Sequence, residues 1–128
     1  MTHNSAYSGG AIAYSGDISG NPILNLNGVS ISENSASTNG GAIFSVGTTE
    51  IKFGSDTRTS ITNNTAGANG GGIWLGSPSV LDMDNTKIKY NLAKTGRGGG
   101  IYLNKGSSIK RGDDDISNNM PDNIYQAK

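Results

Sequence analysis

The sequence predicts an all-β domain, namely a right-handed parallel β-helix of about four coils with three short strands in each coil. The first observation behind this prediction is a recurring motif: an apolar residue, two variable positions and an Asn, followed after a polar loop by Gly-Gly-(Ala/Gly)-Ile. Its copies begin near Met1, Ile31, Ile61 and Ile88, with a truncated copy at Ile116, in steps of 30, 30, 27 and 28 residues. Because one period runs through the whole chain, we treat residues 1–128 as a single domain.

The second observation is the pattern inside each period. In the second period, apolar residues alternate with polar ones over Ala42–Ser45, Glu50–Phe53 and Thr59–Thr62, with Gly, Asn, Ser and Asp between these runs. Such alternation indicates strands. No segment carries the i, i+3, i+4 apolar stripe of an amphipathic helix, so we expect no substantial helix. The period is also too long for the hexapeptide-based left-handed form, which favours the right-handed coil.

The alternation assigns one face of each strand to the core, and the predicted inward residues line up as rows of like side chains. Burial of such rows supplies the main stabilisation of a narrow solenoid. In the first strand type the inward row is Ile12, Ile43, Ile73 and Ile101, followed two residues later by Tyr14, Ser45, Leu75 and Leu103. The other two rows are Leu24, Ile51, Leu81 and Ile109 in the second strand type, and Ile31, Ile61, Ile88 and Ile116 in the third.

One asparagine recurs directly after the third strand of every coil. These residues are Asn4, Asn34, Asn64, Asn91 and Asn119. An amide both donates and accepts, so a column of them at strand spacing is predicted to hydrogen-bond along the axis. We assign these asparagines a structural role and expect them to adopt the left-handed backbone conformation. The recurring Gly-Gly pairs are interpreted as corners of the coil, since no helix or Lys-Ser/Thr follows to make a phosphate loop.

Composition excludes several classes of function. The formal net charge is zero, so no overall field recruits nucleic acid or an anionic membrane. There is no cysteine, which excludes disulfides and thiolate metal sites, and His3 is the single histidine. We therefore expect no cofactor and no metal site. No apolar stretch is long enough for a membrane span, so direct membrane insertion is not expected.

An aromatic stripe is the main candidate for a binding surface. Phe44, Trp74 and Tyr102 occupy the outward position of the first strand in successive coils, after Ala13 in the first coil. An exposed apolar row on a surface commonly marks contact with a sugar or a partner protein. The competing interpretation is that the rings stack on one another and stiffen the column. Both interpretations remain open from the sequence.

Catalysis would need acidic residues on an outer face. Asp82 and Asp84 lie on the second strand type, and Asp82 falls between Lys52 and Lys110 of the neighbouring coils. A lyase could use such carboxylates with calcium, and a hydrolase could use them as a pair. Ion pairing between stacked residues of opposite charge explains the arrangement of Lys52, Asp82 and Lys110 without any catalytic role. We likewise interpret residues 113–115, three consecutive Asp, as a solvated loop, and we predict no enzyme.

The repeat also resembles a known family. Ile31-Ser-Glu-Asn34 followed by Gly40-Gly41-Ala42-Ile43 is similar to the repeat of polymorphic membrane proteins, and the similarity covers essentially the whole chain. Those are bacterial surface proteins and autotransporter adhesins with right-handed, pectin-lyase-like β-helical passenger domains. The family motif favours Phe at the positions that are Met or Ile here. The resemblance implies display at the cell surface or adhesion.

Together these observations predict a non-enzymatic, adhesin-like or structural module that is extracellular or at the cell surface. Both ends present unpaired strand edges, although Pro121, which lacks a donor N–H, is a candidate block at the C-terminal end. Such a column is either cut from a longer array or stacks head to tail into filaments. The other expected partners are a host or cell-surface protein or a glycan, and nucleic acid is not expected. A glycan-binding module using Phe44, Trp74 and Tyr102 is the first alternative, and a polysaccharide lyase or hydrolase is the second. Because Met1 lies inside a repeat, we expect the chain to be a segment of a longer array.

Overall fold

The computed structural model describes residues 1–16, 23–76 and 78–128. The strands of these residues are stacked in parallel as coils of a solenoid, and this part of the chain contains no helix. Each coil contributes one strand to each of four sheets. The predicted parallel β-helix without helical segments is therefore confirmed.

The sheets are numbered here in the order in which one coil passes through them. Sheet I contains β4 (Ser30–Ser32), β8 (Thr59–Thr62), β12 (Thr86–Lys89) and β16 (Asp115–Ser117). Sheet II contains β1 (Ser5–Ala6), β5 (Ser35–Ala36), β9 (Thr65–Ala66) and β13 (Leu92–Ala93). Sheet III contains β2 (Ile12–Ser15), β6 (Ile43–Val46), β10 (Ile73–Leu75), β14 (Ile101–Leu103) and β17 (Ile124–Gln126). Sheet IV contains β3 (Ile23–Leu26), β7 (Thr49–Phe53), β11 (Ser79–Asp82) and β15 (Ser108–Lys110).

Three of the four sheets correspond to the three strand types predicted for each coil, and sheet II is additional. Its strands, such as Ser35–Ala36, are two residues long and directly follow the repeated Asn. Two residues are too few to show an alternating pattern, so these strands could not be recognised from the sequence. The extra strand makes each coil four-sided.

The core consists mainly of isoleucine and leucine side chains that lie on like residues of the next coil, and Phe53 and Met83 complete it in sheet IV and the turn that follows. In sheet III, Ile43 and Ile101 pair in register with Ile73, and all three are fully buried. In sheet I, Ile61 pairs with Ile31 and with Ile88 in the same way. Burying one such side chain stabilises the fold by about 1.5–3 kcal/mol. The predicted core rows are confirmed.

The corner between sheets I and II differs from the prediction. The left-handed backbone conformation lies on the residue before each ladder asparagine, with φ between 57° and 60° at His3, Glu33, Asn63, Tyr90 and Asn118. The expectation that the ladder asparagines themselves adopt it is wrong. The physical reason is that each ladder side chain must point into the solenoid, so the preceding residue makes the turn and points outward.

The Gly-Gly corners follow the prediction, as Gly40 and Gly41 illustrate. Gly40 has a φ of 69°, in the left-handed region that favours glycine. Gly41 is needed for a different reason, because a Cβ at this position would overlap the carbonyl oxygen of Gly71 in the next coil. One glycine of the pair therefore makes the turn, and the other lets two coils approach each other.

Candidate functional site

The repeated asparagines form a continuous hydrogen-bonded ladder inside the corner between sheets I and II. Oδ1 of Asn64 accepts hydrogen bonds from the backbone N–H and from Nδ2 of Asn34, at 2.9 and 3.1 Å. Nδ2 of Asn64 donates to Oδ1 of Asn91 at 3.0 Å and to the carbonyl oxygen of Ile31 at 3.1 Å. The same side-chain contacts join Asn4 to Asn34 and Asn91 to Asn119. The side chains of the four buried ladder residues, Asn34, Asn64, Asn91 and Asn119, thus use their hydrogen-bonding capacity inside the protein, which leaves none for a ligand.

The ladder ends on a residue that the sequence reasoning missed. Oδ1 of Asn123 accepts from the backbone N–H and from Nδ2 of Asn119, both at 3.1 Å. Asn123 therefore takes the place of the asparagine of a further coil. The spacing between the ladder asparagine and the next sheet III isoleucine could have revealed this role of Asn123. Ile124 follows Asn119 after 5 residues, whereas Ile73 follows Asn64 after 9.

The aromatic stripe lies on the outer face of sheet III, with its rings half-buried. Trp74 pairs in register with Phe44 and with Tyr102. The ring centroids of Phe44 and Trp74 are 4.7 Å apart with planes at 13°, and those of Trp74 and Tyr102 are 6.2 Å apart at 6°. Tyr125 extends the stack, with its centroid 5.3 Å from that of Tyr102. We call these four rings the aromatic column.

Stacking of the rings decides what the aromatic column can contact. Trp74 and Tyr102 each have an aromatic neighbour on both sides along the column, so their flat faces cover one another. A sugar ring that stacks on an aromatic side chain needs a free face, and the neighbouring rings restrict access to the faces of Trp74 and Tyr102. Tyr125 was missed by the sequence reasoning, although Ile124-Tyr125 repeats the pair Ile101-Tyr102.

The candidate acidic residues lie on the outer face of sheet IV. Asp82 pairs in register with Lys52 and Lys110, and its Oδ2 is 4.0 Å from Nζ of Lys52. The two side chains are 29% and 52% exposed, so this ion pair contributes at most about 1 kcal/mol. Oδ1 of Asp84 accepts a hydrogen bond from the backbone N–H of Asp113 at 3.0 Å. Asp82 and Asp84 border a groove of about 310 Å³ that is also lined by residues 25–27 and 52–55 of the two preceding coils.

The acidic run at 113–115 is used within the last coils. Oδ1 of Asp114 accepts from the backbone N–H of Thr86, and Oδ2 accepts from that of Gly112, both at 3.0 Å. Oδ1 of Asp115 accepts from the Ser117 hydroxyl at 2.8 Å, and Oδ2 lies 3.4 Å from Nζ of Lys89. These contacts, the hydroxyl first, lower the pKa of the Asp115 carboxyl. Among the residues that the structure describes, no three acidic or histidine side chains are grouped to hold a metal ion.

His3 lies at an exposed position and contacts the carboxylate of Glu33 in the next coil. It has no second titratable side chain within ion-pair distance among the described residues. The described residues therefore assemble neither a nucleophilic triad nor a histidine-based metal site around His3.

Within the described ranges, no helix is long and apolar enough to cross a membrane.

A buried cluster of hydroxyl groups lies at the corner between sheets III and IV. The hydroxyl of Thr49 is 2.6 Å from that of Ser45 and 3.0 Å from that of Ser79. Ser79 also donates to the carbonyl oxygen of Gly47 at 3.0 Å. The prediction placed Ser45 in the core row beside apolar residues and did not find its partners, because Thr49 and Ser79 come from other strands. The cluster satisfies buried polar groups and exposes none of them to a ligand.

Comparison with known proteins assigns the chain to a family. The family described as "Right handed beta helix region" matches residues 2–127. The chain belongs to the right-handed β-helix family. This membership confirms the predicted hand of the coil over nearly the whole chain. No curated protein and no solved structure matches at a significant level. Since a fold hosts many functions, the function of this β-helix has to be argued from its surfaces.

Proposed function

We propose that this β-helix is a non-enzymatic module of a cell-surface protein, serving as a rigid display element with adhesive outer faces. The observation that carries the proposal is the aromatic column. Its four rings are placed on one face of the solenoid and contact each other from coil to coil. Side chains arranged in this way stiffen the solenoid along its axis, as the buried ladders do, and leave the outer faces of the other sheets for contact.

The contacts of the acidic residues support a role without catalysis. Asp84 and Asp114 accept hydrogen bonds from backbone N–H groups, and Asp82 and Asp115 lie beside lysines. Each of these contacts joins one coil to the next. A carboxylate whose oxygen atoms contact a neighbouring coil is already used to hold the coils together, which favours a structural role over a catalytic one.

The location at the cell surface is supported by the repeat itself. The motif that ends in Gly40-Gly41-Ala42-Ile43 resembles that of polymorphic membrane proteins, whose passenger domains are displayed outside the cell. The structure uses each part of the motif for coil formation, with Asn34 in the ladder and Ile43 in the core. Antibodies against the 128-residue domain should label intact cells of the source organism, and protease treatment of intact cells should remove the label. A label found only after lysis would contradict this part of the proposal.

Binding and catalysis are tested on the purified domain. We expect Trp74→Ala to leave any binding to an array of glycans unchanged, because the inner faces of the aromatic column are covered. A glycan that the wild-type domain binds and the Trp74→Ala variant does not would replace the proposal by the glycan-binding alternative. Incubation with uronate polymers and calcium should give no product. Release of unsaturated or reducing ends, lost in an Asp82→Asn variant, would show that the domain is an enzyme.

Stacking of copies is the second candidate, and the burial of the outermost coils favours it. Ile12 and Leu24 in the first coil, and Ile109 and Ile124 in the last, are only partly buried although they face the core. A copy stacked on either end would cover them. At the C-terminal end Asn123 argues against stacking, because it already accepts the hydrogen bonds that Asn119 would donate to a stacked copy. Light scattering of the 128-residue chain separates the cases, because filaments would support stacking and a monomer would exclude it.

A further inference from the structure

One corner of the solenoid combines exposed apolar side chains with lysines. We call it the corner patch, and it consists of Lys87, Lys89, Tyr90, Leu92, Lys94 and Met120. Tyr90, Leu92 and Met120 are 53%, 36% and 65% exposed, and they are three of the six large hydrophobic residues exposed in the described ranges. Leu92 and Met120 lie side by side on adjacent coils. Contiguous apolar exposure of this kind marks a contact surface more often than scattered exposure does.

The corner patch breaks the pattern of the other coils. The positions equivalent to Lys87, Lys89 and Leu92 in the preceding coil are held by Ser60, Thr62 and Thr65. The outward corner position of Tyr90 is held by Glu33 and Asn63 in the two preceding coils. Short polar side chains therefore suffice to build this part of a coil. The lysines and the apolar residues of the patch add something that the fold does not need.

Tyr90 also carries a conformational cost. Its φ is 60°, in the left-handed region, where a residue with a bulky side chain is about 1–2 kcal/mol less stable than in the right-handed one. Asn63 occupies the same corner one coil earlier and tolerates this conformation better. Strained backbone tends to occur where the side chain is used. The geometry thus presents the ring of Tyr90 outward at the edge between sheets I and II.

The lysines give the corner patch itself a positive excess. Nζ of Lys89 is 5.4 Å from the centroid of the Tyr90 ring and 3.4 Å from Oδ2 of Asp115. Lys87 and Lys94 form no ion pair with any residue that the structure describes. Asp115 offsets one of the three lysines, because it pairs in register with Lys87 and lies beside Lys89, which leaves a positive excess within the patch itself. The surroundings add no further positive charge, because Arg58 beside Asn85 lies on the side where Asp113 and Asp114 precede Asp115.

We propose that the corner patch binds the surface of a lipid bilayer that contains anionic headgroups. The patch lies on an outward corner, which fits a broad surface better than it fits a small molecule. Tyrosine, leucine and methionine side chains favour the boundary between headgroups and acyl chains, and lysines extend to the headgroup phosphates. The contact is peripheral and needs no membrane-spanning segment. It goes beyond the proposed display function and does not depend on it.

Flotation of the purified domain with vesicles tests the proposal. The domain should float with vesicles of mixed phosphatidylcholine and phosphatidylglycerol and should not float with phosphatidylcholine alone. Binding should weaken at high salt, because exposed charges are then screened. Replacing Lys87 or Lys94 by Ser should each lower the partition coefficient about fivefold. Absence of binding to the anionic vesicles would overturn the proposal.

The apolar part is tested by the double variant Tyr90→Asn, Leu92→Thr. Both changes copy the preceding coil, Asn63 and Thr65, so the variant should fold at least as stably as the wild-type domain. It should lose most of the vesicle binding. The matched control is Tyr7→Ser, which removes a tyrosine that is 76% exposed in the first coil, and it should bind as the wild type does.

Three further outcomes would overturn the proposal. The first is equal vesicle binding by the double variant, and the second is an equal loss of binding in Tyr7→Ser. The third is a soluble dimer of the wild-type domain that the double variant abolishes, which would assign the corner patch to a second copy of the chain.

Discussion

Replacement of Asn64 by Ala tests the asparagine ladder where it is most deeply buried. The Asn64 side chain has no exposed surface and takes part in four hydrogen bonds, two with Asn34 and one each with Asn91 and Ile31. Each such bond contributes about 1 kcal/mol net, and losing it leaves a buried polar group unpaired. We therefore expect Asn64→Ala to lower the free energy of unfolding by about 4 kcal/mol. This is a large share of the roughly 5–15 kcal/mol that stabilises a typical domain.

Urea denaturation, followed by Trp74 fluorescence and by circular dichroism, measures this change. The matched control is Asn4→Ala, because Asn4 is exposed and its side chain donates a single hydrogen bond, to Oδ1 of Asn34. The control should lose about 1 kcal/mol. A loss below about 1 kcal/mol for Asn64→Ala, or equal losses in the two variants, would refute the argument that the ladder holds the coils together.

Three further predictions concern the corners and the acidic residues. Gly41→Ala should destabilise the domain by about 3 kcal/mol or prevent folding, because the new Cβ overlaps the backbone of Gly71; an unchanged urea midpoint would contradict this. Glu33→Asn should raise the free energy of unfolding by about 0.5–1 kcal/mol, because Asn tolerates the left-handed corner and the exposed contact with His3 contributes little. Ser117→Ala should raise the pKa of the Asp115 carboxyl toward its ordinary value of 3.8, as measured by NMR titration. Since the folded pKa is lowered, the hydroxyl contributes stability above the ordinary pKa of 3.8, and this contribution disappears as the pH falls through the folded pKa. A pKa of Asp115 that the substitution leaves unchanged would contradict the assignment.

The features that repeat at a fixed period could be predicted from the sequence. Ile43, Ile73 and Ile101 recur at the same place in each period, and the structure pairs them in register. In a parallel solenoid the partner of a residue is its own equivalent one coil away. The period of a single sequence therefore predicts the long-range contacts as well as the local ones. The three longer strand types could be predicted directly from it.

Features that depend on local geometry could not be predicted in the same way. Sheet II was not predicted because strands as short as Ser35–Ala36 show no alternation of apolar and polar residues. The left-handed conformation was assigned to Asn64 instead of Asn63, since two adjacent asparagines give the same preference and only the inward direction of the ladder side chain decides.

The aromatic stripe shows the limit most clearly. The outward positions of Phe44, Trp74 and Tyr102 followed from the alternation, but the orientation of their rings depends on side-chain torsions that no sequence pattern reports. The same holds for the end of the last coil. There Asn123 and Tyr125 replace parts of a full repeat, and the shortened spacing hides their equivalence to earlier residues.

A double-mutant cycle on Phe44 and Trp74 tests most directly whether the aromatic column is an internal support of the solenoid. The free energies of unfolding of Phe44→Ala, Trp74→Ala and the double variant give the coupling energy between the two rings. Stacked rings with centroids 4.7 Å apart should show a coupling of about 0.5–1.5 kcal/mol. A coupling indistinguishable from zero would mean that the two rings do not stabilise each other and that the proposed structural role is wrong.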